Sequence, residues 1–164
     1  MQINGLILKG IGGFYYVEAA DEIFECRARG IFRKEKLTPL PGDHVLITIR
    51  QNDENTIDSI LPRSNSFLRP PIANVDQLII VASICEPNPS TLIIDKLSAI
   101  AQSKDIETIV IVTKADIADT SELVEIYKKA GLKVFSVSCI TGEGVEQVRK
   151  SLEGHISAFT GNSG

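Results

Sequence analysis

Three short runs in this chain combine small residues with polar groups in the way a ligand-binding loop requires: TKAD (residues 113–116), SCITGEG (138–144) and GNSG (161–164). The carboxylate of Asp116 can accept two hydrogen bonds from the N1–H and exocyclic amino group of a guanine. Adenine offers an acceptor at N1 and no amino group beside it, so the same acid rejects it. Lys114 can lay its alkyl stem along the plane of the base. In the second run, Ser138 and Cys139 are small enough for main-chain amides to approach a ligand, and the Cys139 amide suits a guanine O6. In the third, Gly161, Asn162, Ser163 and Gly164 match the opening of G-x-x-x-x-G-K-[ST], whose amides cradle phosphates. Taken singly, each run also reads as ordinary punctuation: a polar loop opening a helix with Asp116 as its cap, a glycine-bearing turn into a third helix capped by Thr141, a glycine-rich tail.

The elements around these runs give them a common position. QLIIVASI, TIVIVTKAD and KVFSVSC are apolar runs of the kind found in strands buried on both faces, and HISAF reads as a further strand. Between them, Ile93, Leu97, Ile100 and Ala101 recur at helical spacing, as do Leu123, Ile126, Tyr127 and Ala130. Asp119 or Thr120 can cap the second helix, and Gly131 stands where a left-handed C-terminal residue is wanted. A third helix follows Gly144, with Val145, Val148 and Leu152 inward. Alternating strands and helices predict right-handed crossovers and a parallel sheet, which binds ligands at the carboxyl ends of its strands. All three runs fall at such ends.

The first 68 residues have another rhythm. NGLILKG, GFYYVEAA, EIFECRARG, DHVLITIR and NTIDSILPR are short β-rich runs separated by glycine, proline, Asp and Asn. Val45, Ile47 and Ile49 alternate with His44, Leu46, Thr48 and Arg50, and Phe24, Cys26 and Ala28 share one face opposite Glu25, Arg27 and Arg29. Five strands and no helix predict a small closed barrel, of the OB type or an SH3-like one. The prolines of LPRSNSFLRPPIANVDQ then disfavour helix and mark a linker between a domain over 1–68 and another over 69–164.

Composition narrows the function classes. A hydrophobic share of 43% predicts a packed core rather than disorder. No apolar run approaches the ~20 residues a bilayer requires, and the N-terminus lacks the parts of a signal peptide. Cys26, Cys85 and Cys139 are widely spaced and suit a reducing compartment better than a disulfide framework or a zinc site. His44 and His155 read as surface residues. Net charge is −4, with nine basic and nine acidic residues in 1–70 against eight and twelve in 71–164. The acidity therefore belongs to the second half, while Arg27, Arg29, Arg33, Lys34 and Lys36 gather in the first as candidate phosphate contacts. Phe14, Tyr15, Tyr16, Phe24 and Phe32 are candidates for base stacking or for the core.

Ordinary small GTPases carry the phosphate loop first and the guanine motifs last. Here the order is reversed, as a circular permutation would leave it. With CRARGIFRK, PGDHV and the proline-rich connector, this order makes the whole chain resemble the ribosome-small-subunit-dependent GTPase A family (RsgA, YjeQ, YloQ). The resemblance implies an OB barrel followed by an incomplete, circularly permuted P-loop GTPase domain. It also implies GTP hydrolysis in late maturation of the small ribosomal subunit, with the barrel on ribosomal RNA. GTP or GDP is the implied ligand of Thr113, Lys114, Asp116, Ser138, Cys139 and Gly161 to Gly164. Mg²⁺, one structural Zn²⁺ and the catalytic residues are expected outside these 164 residues. Two positions depart from the commonest GTPase pattern: Thr113 stands for Asn and Cys139 for Ala. Residues equivalent to V-G-K-S are expected after Gly164, so the 164 residues alone are expected not to hydrolyse GTP. A cytoplasmic monomer without membrane contact is expected. Two rivals remain at this point: a non-enzymatic RNA-binding barrel with an α/β adaptor, and a flavodoxin-like sheet with an unrelated ligand.

Overall fold

Alternating burial in the first part of the chain closes a barrel. β1 (Gln2–Ile11), β2 (Phe14–Ala19), β3 (Glu22–Ala28), β4 (His44–Thr48) and β5 (Asn55–Ile60) join in the order β1-β2-β3-β5-β4. The computed structural model describes residues 1–34, 36–51, 53–68 and 70–161, and for Arg33 the backbone alone. β3 and β5 pair in parallel and the other neighbours antiparallel, which is the closed five-stranded OB-type arrangement. Ile7, Val17, Cys26, Val45, Ile47 and Ile57 fill the interior. Phe24 and Ala28 pack on the same core, so β3 turns the face inward that its alternation predicts. Burial first, then the charges of Asp58 and Glu25, push the Cys26 thiol up to about 11, leaving an unreactive core residue.

The barrel departs from expectation in one place. A single helical turn, α1 (Ile31–Lys34), interrupts the basic run. Phe32 is the cause: it plugs the core at 4% exposure, with its amide on the Arg29 carbonyl and its carbonyl taking the Leu37 amide. The five cations therefore do not share one strand face. Arg27 lies on β3 and Arg29 beyond its end, Arg33 and Lys34 on α1, and Lys36 in the turn that follows.

The proline-rich connector is ordered rather than a plain linker. It forms a two-stranded antiparallel ribbon, β6 (Ser66–Leu68) with β7 (Pro71–Ala73). Pro71 opens its strand, where a missing donor costs least. The ribbon is tied to the barrel by Arg63, whose Nε and Nη2 donate to the two carboxylate oxygens of the buried Asp43 at 2.7 Å each. Asn74 Nδ2 donates to the Gly42 carbonyl at 2.8 Å. Chain compaction accordingly divides into a unit of Met1–Asn74 and one that begins at Val75.

The second unit is a parallel sheet in the order β10-β9-β8-β11. Its elements are β8 (Gln77–Ser83), α2 (Thr91–Gln102), β9 (Glu107–Thr113), α3 (Ser121–Lys129), β10 (Lys133–Ser136), α4 (Val145–Leu152) and β11 (Ser157–Gly161). Val148 and Leu152 of α4 pack against Ile79, Ile109, Ile111 and Val137 on one face. The alternate residues Leu78, Ile80, Val110 and Val112 are also buried, and α2 and α3 contact β8, β9 and β10. Four residues expected inward are not, and one of them, Ala130, lies exposed just past the end of α3. Ile100 is 46% exposed, Ile126 48% and Val145 36%. In α2, apolar side chains spread over more than half of the helix surface, and packing buries the expected Ala101 together with Ile94 rather than Ile100. In α3, the hydroxyl of buried Tyr127 donates to Asp95 Oδ1 of α2 at 3.1 Å, which sets the rotation and turns Ile126 out.

The helix ends follow expectation. Asp119 Oδ1 accepts the Ser121 amide at 3.0 Å and its hydroxyl at 2.7 Å, bonds that hold its carboxyl below the usual range, the hydroxyl contributing most. Gly131 closes α3 with φ +84°. His44 and His155 are exposed. Among the described residues, no helix is long and apolar enough to cross a membrane.

Candidate functional site

From β8 the chain moves to β9 and β10 on one side, then returns to place β11 on the other. The strand order thus reverses between β8 and β11, and open α/β sheets bind ligands in the crevice outside the carboxyl ends at such a reversal. Register aligns the four ends: Ser83 lies beside Thr113, Ser136 beside Val112 and Gly161 beside Val81.

Gly161 ends β11 at this crevice. A Cβ there would sit 2.3 Å from the Val81 carbonyl oxygen, so a larger residue would force the two strands apart. Asn162, Ser163 and Gly164 lie outside the described residues.

Thr113 ends β9, and its carbonyl accepts the Ile84 amide from the next loop at 3.1 Å. Asp116 follows in a turn closed by the Ile117 amide on the Lys114 carbonyl at 3.0 Å. Its carboxylate is exposed and has no partner among the described residues, leaving its oxygens available to a ligand. It does not cap α3, since Asp119 does. Lys114 adopts φ +66°, and its Nζ donates to the carbonyls of Cys85 at 3.0 Å and Glu86 at 2.5 Å.

The loop after β10 is organised by Ser138, which is fully buried. Its Oγ accepts the amides of Ile140 at 3.2 Å and Thr141 at 3.1 Å. Its own amide donates to Glu143 and its carbonyl accepts from Gly142. Cys139 is exposed on this rigid loop, and no described residue accepts its amide. The Ala115 amide donates to the Val137 carbonyl at 3.1 Å, joining the Asp116 and Cys139 loops directly.

A carboxylate, a free amide, a lysine stem and a glycine at a strand end therefore lie along one rim. From β9 to β11 is two inter-strand spacings, about 10 Å, which leaves room for a sugar between a base and its phosphates. The arrangement is suited to recognition of a planar base with an anionic tail. One participant had no sequence signal: the segment after β8 meets Lys114 through the main-chain carbonyls of Cys85 and Glu86, which any residue type supplies. Among the described residues, no group of three His, Cys, Asp or Glu side chains could hold a metal ion.

The cations of the first unit are not equivalent. Arg27 pairs with Glu54 at 3.1 Å and lies 4.4 Å from the centre of the Phe14 ring. Arg29 stands 3.7 Å from Asp58, with its side chain 60% exposed. Lys34 and Lys36 are exposed and form no ion pair among the described residues. The side chain of Arg33 lies outside the description.

A sequence profile described as RsgA GTPase matches residues 60–164, and one described as RsgA N-terminal domain matches residues 4–57. The chain is 45% identical over 166 residues to the small ribosomal subunit biogenesis GTPase RsgA of Ruminiclostridium cellulolyticum, covering 98% of this chain and 54% of the relative. It is 43% identical to the protein of that name from Alkaliphilus metalliredigens, covering 98% of this chain and 57% of the relative. The chain thus spans a little over half the length of these relatives. Among solved structures, YjeQ from Thermotoga maritima superposes with a TM-score of 0.88 at 30% identity, over 100% of this chain and 62% of that one. YloQ, described as a circularly permuted GTPase, gives 0.85 at 33% identity, over 100% and 61%.

Proposed function

The chain belongs to the RsgA GTPase family, and from that premise we propose that its second unit is the guanine-recognising part of a GTPase acting in biogenesis of the small ribosomal subunit. In this reading Asp116 selects guanine, the Lys114 stem backs the base and the Cys139 amide meets O6. Thr113 and Ser138 shape the two base loops, and Gly161, Asn162, Ser163 and Gly164 begin the phosphate cradle. The supporting observation is the common rim: three strand ends of one parallel sheet, at a reversal of strand order, with the Asp116 carboxylate unpartnered among the described residues. The work belongs to the cytoplasm, where three free thiols stay reduced, and to a monomer.

Phosphoryl transfer depends on positioning and on compensating the charge of the phosphates with a lysine and a metal ion. A polypeptide of these 164 residues holds neither the G-K-[ST] part of the loop nor a metal cluster among its described residues. It should bind GDP weakly, in preference to ADP, and hydrolyse no GTP. Calorimetric titration checks this. Equal affinity for GDP and ADP would overturn the guanine reading, and tight magnesium-dependent GTP binding would overturn the expected weakness.

A second reading concerns the first unit. We propose that the barrel contacts ribosomal RNA, with Arg29, Lys34 and Lys36 as its freer cations and Arg27 and Arg33 beside them. The exposure of Lys34 and Lys36 without ion pairs supports it. Each lysine that neutralises a phosphate contributes about 0.7–0.9 to the slope of log affinity against log salt. Replacing Lys34 and Lys36 by alanine should lower that slope by about 1.5 in a filter-binding series with small-subunit RNA. An unchanged slope removes both residues from the interface.

A further inference from the structure

The segment after β8 belongs to none of the recognition runs, yet it grips one of their members. The Lys114 ammonium donates to two main-chain carbonyls there, Cys85 O at 3.0 Å and Glu86 O at 2.5 Å. The Cys85 carbonyl also accepts the Ser83 hydroxyl. The Ile84 amide on the Thr113 carbonyl, at 3.1 Å, anchors the segment to the residue just before Lys114. One loop thus meets the lysine at both ends, through the backbone preceding it and through its terminal nitrogen.

This geometry has two consequences. A lysine stem free in water populates many rotamers, and fixing it on binding is costly; a stem already spanned between a strand end and two carbonyls loses less. The direction of the span also matters. β8 lies between β9, which carries Asp116, and β11, which ends at Gly161. The clamp therefore draws the stem along the rim, from the base loop toward the strand beside Gly161. Carbonyls hold the ammonium without neutralising it, as a carboxylate would, so its positive charge stays available to an anionic ligand.

We infer that residues 83–86 are a working part of the nucleotide site: the Cys85 and Glu86 carbonyls, steadied by the Ser83 hydroxyl, hold the Lys114 stem extended where the base must lie. Ser83 is then a positioning residue, and guanine affinity depends on it through Lys114. The inference rests on the guanine reading of the rim.

The test is a double-mutant cycle on the 164-residue chain, with GDP affinity read from chemical-shift titration of the isotopically labelled protein, a measurement that follows weak binding. Ser83→Ala should weaken GDP about 5-fold and Lys114→Met about 10-fold, while the double variant should be no weaker than Lys114→Met by more than about 2-fold. Ser83→Thr, which keeps the hydroxyl, should restore affinity to within about 2-fold of the parent. A Ser83→Ala loss of the same size in both backgrounds would mean general damage to the loop and overturn the inference, leaving the guanine reading intact. No loss in Ser83→Ala would do the same. Failure of the parent chain to bind GDP at all would overturn both.

Discussion

Asp116→Asn should exchange guanine for xanthine as the preferred base. A carboxylate presents two acceptors to guanine's N1–H and amino group, whereas a carboxamide turns one of these contacts donor against donor. Xanthine carries a carbonyl where guanine carries the amino group and so satisfies the asparagine. Losing one charge-assisted bond and burying an unmatched donor against the base should lower GDP affinity by about 100-fold or more. XDP should then compete better than GDP in a displacement titration. The fold should not register the change, because Asp116 is exposed and holds no partner among the described residues; such substitutions stay within about 0.5 kcal/mol. An unaltered preference with an unaltered melting temperature would remove Asp116 from the base site.

The other large effect concerns stability. Asp43 is fully buried, Arg63 is 21% exposed, and both carboxylate oxygens accept from the guanidinium at 2.7 Å. The Leu40 amide donates to Asp43 Oδ2, and Arg63 Nη2 donates in addition to the Thr38 carbonyl, both at 2.7 Å. Arg63→Ala leaves a buried carboxylate with a single amide for company, and Asp43→Ala strands a guanidinium beside the barrel. Breaking one side of a buried pair costs about 3–5 kcal/mol. For a unit of this size that lowers the melting temperature by more than about 10 °C, a shift that scanning calorimetry resolves. Replacing both at once, Asp43→Leu with Arg63→Met, should recover a good part of the loss, since the apolar pair leaves no charge uncompensated. A single variant that melts within about 3 °C of the parent would show that the pair is not what secures the connector to the barrel.

Arg63 and Asp43 also show where reading a sequence stops. Their runs, PGDHV and LPRSNSF, are recognisable as strings, but nothing in either says that one buries an acid for the other to meet 20 residues later. The one-turn helix α1 is similar. It exists because Phe32 needs the barrel interior, and four residues are too few to show a period. In α2, leucines and isoleucines spread over more than half of the helix circumference, so periodicity allows more than one face and only contact with the sheet chooses Ile94 over Ile100. The Tyr127–Asp95 bond makes the same choice for α3.

For the start of α3 residue type left Asp119 and Thr120 open and the structure chooses Asp119, but the five barrel strands, the alternation of strands and helices from Gln77 onward and the strand-end position of each recognition run were legible in the sequence alone. These depend on residue type and near-neighbour spacing, which the chain displays directly. Folding adds which helix faces are buried, how the connector packs onto the barrel, which cations lack an ion pair among the described residues, and how the loop after β8 holds Lys114. Each of those is a contact between residues far apart in the chain, and the Lys114 clamp is made by main-chain carbonyls. Every residue carries one, so such a contact leaves no mark on the order of side chains.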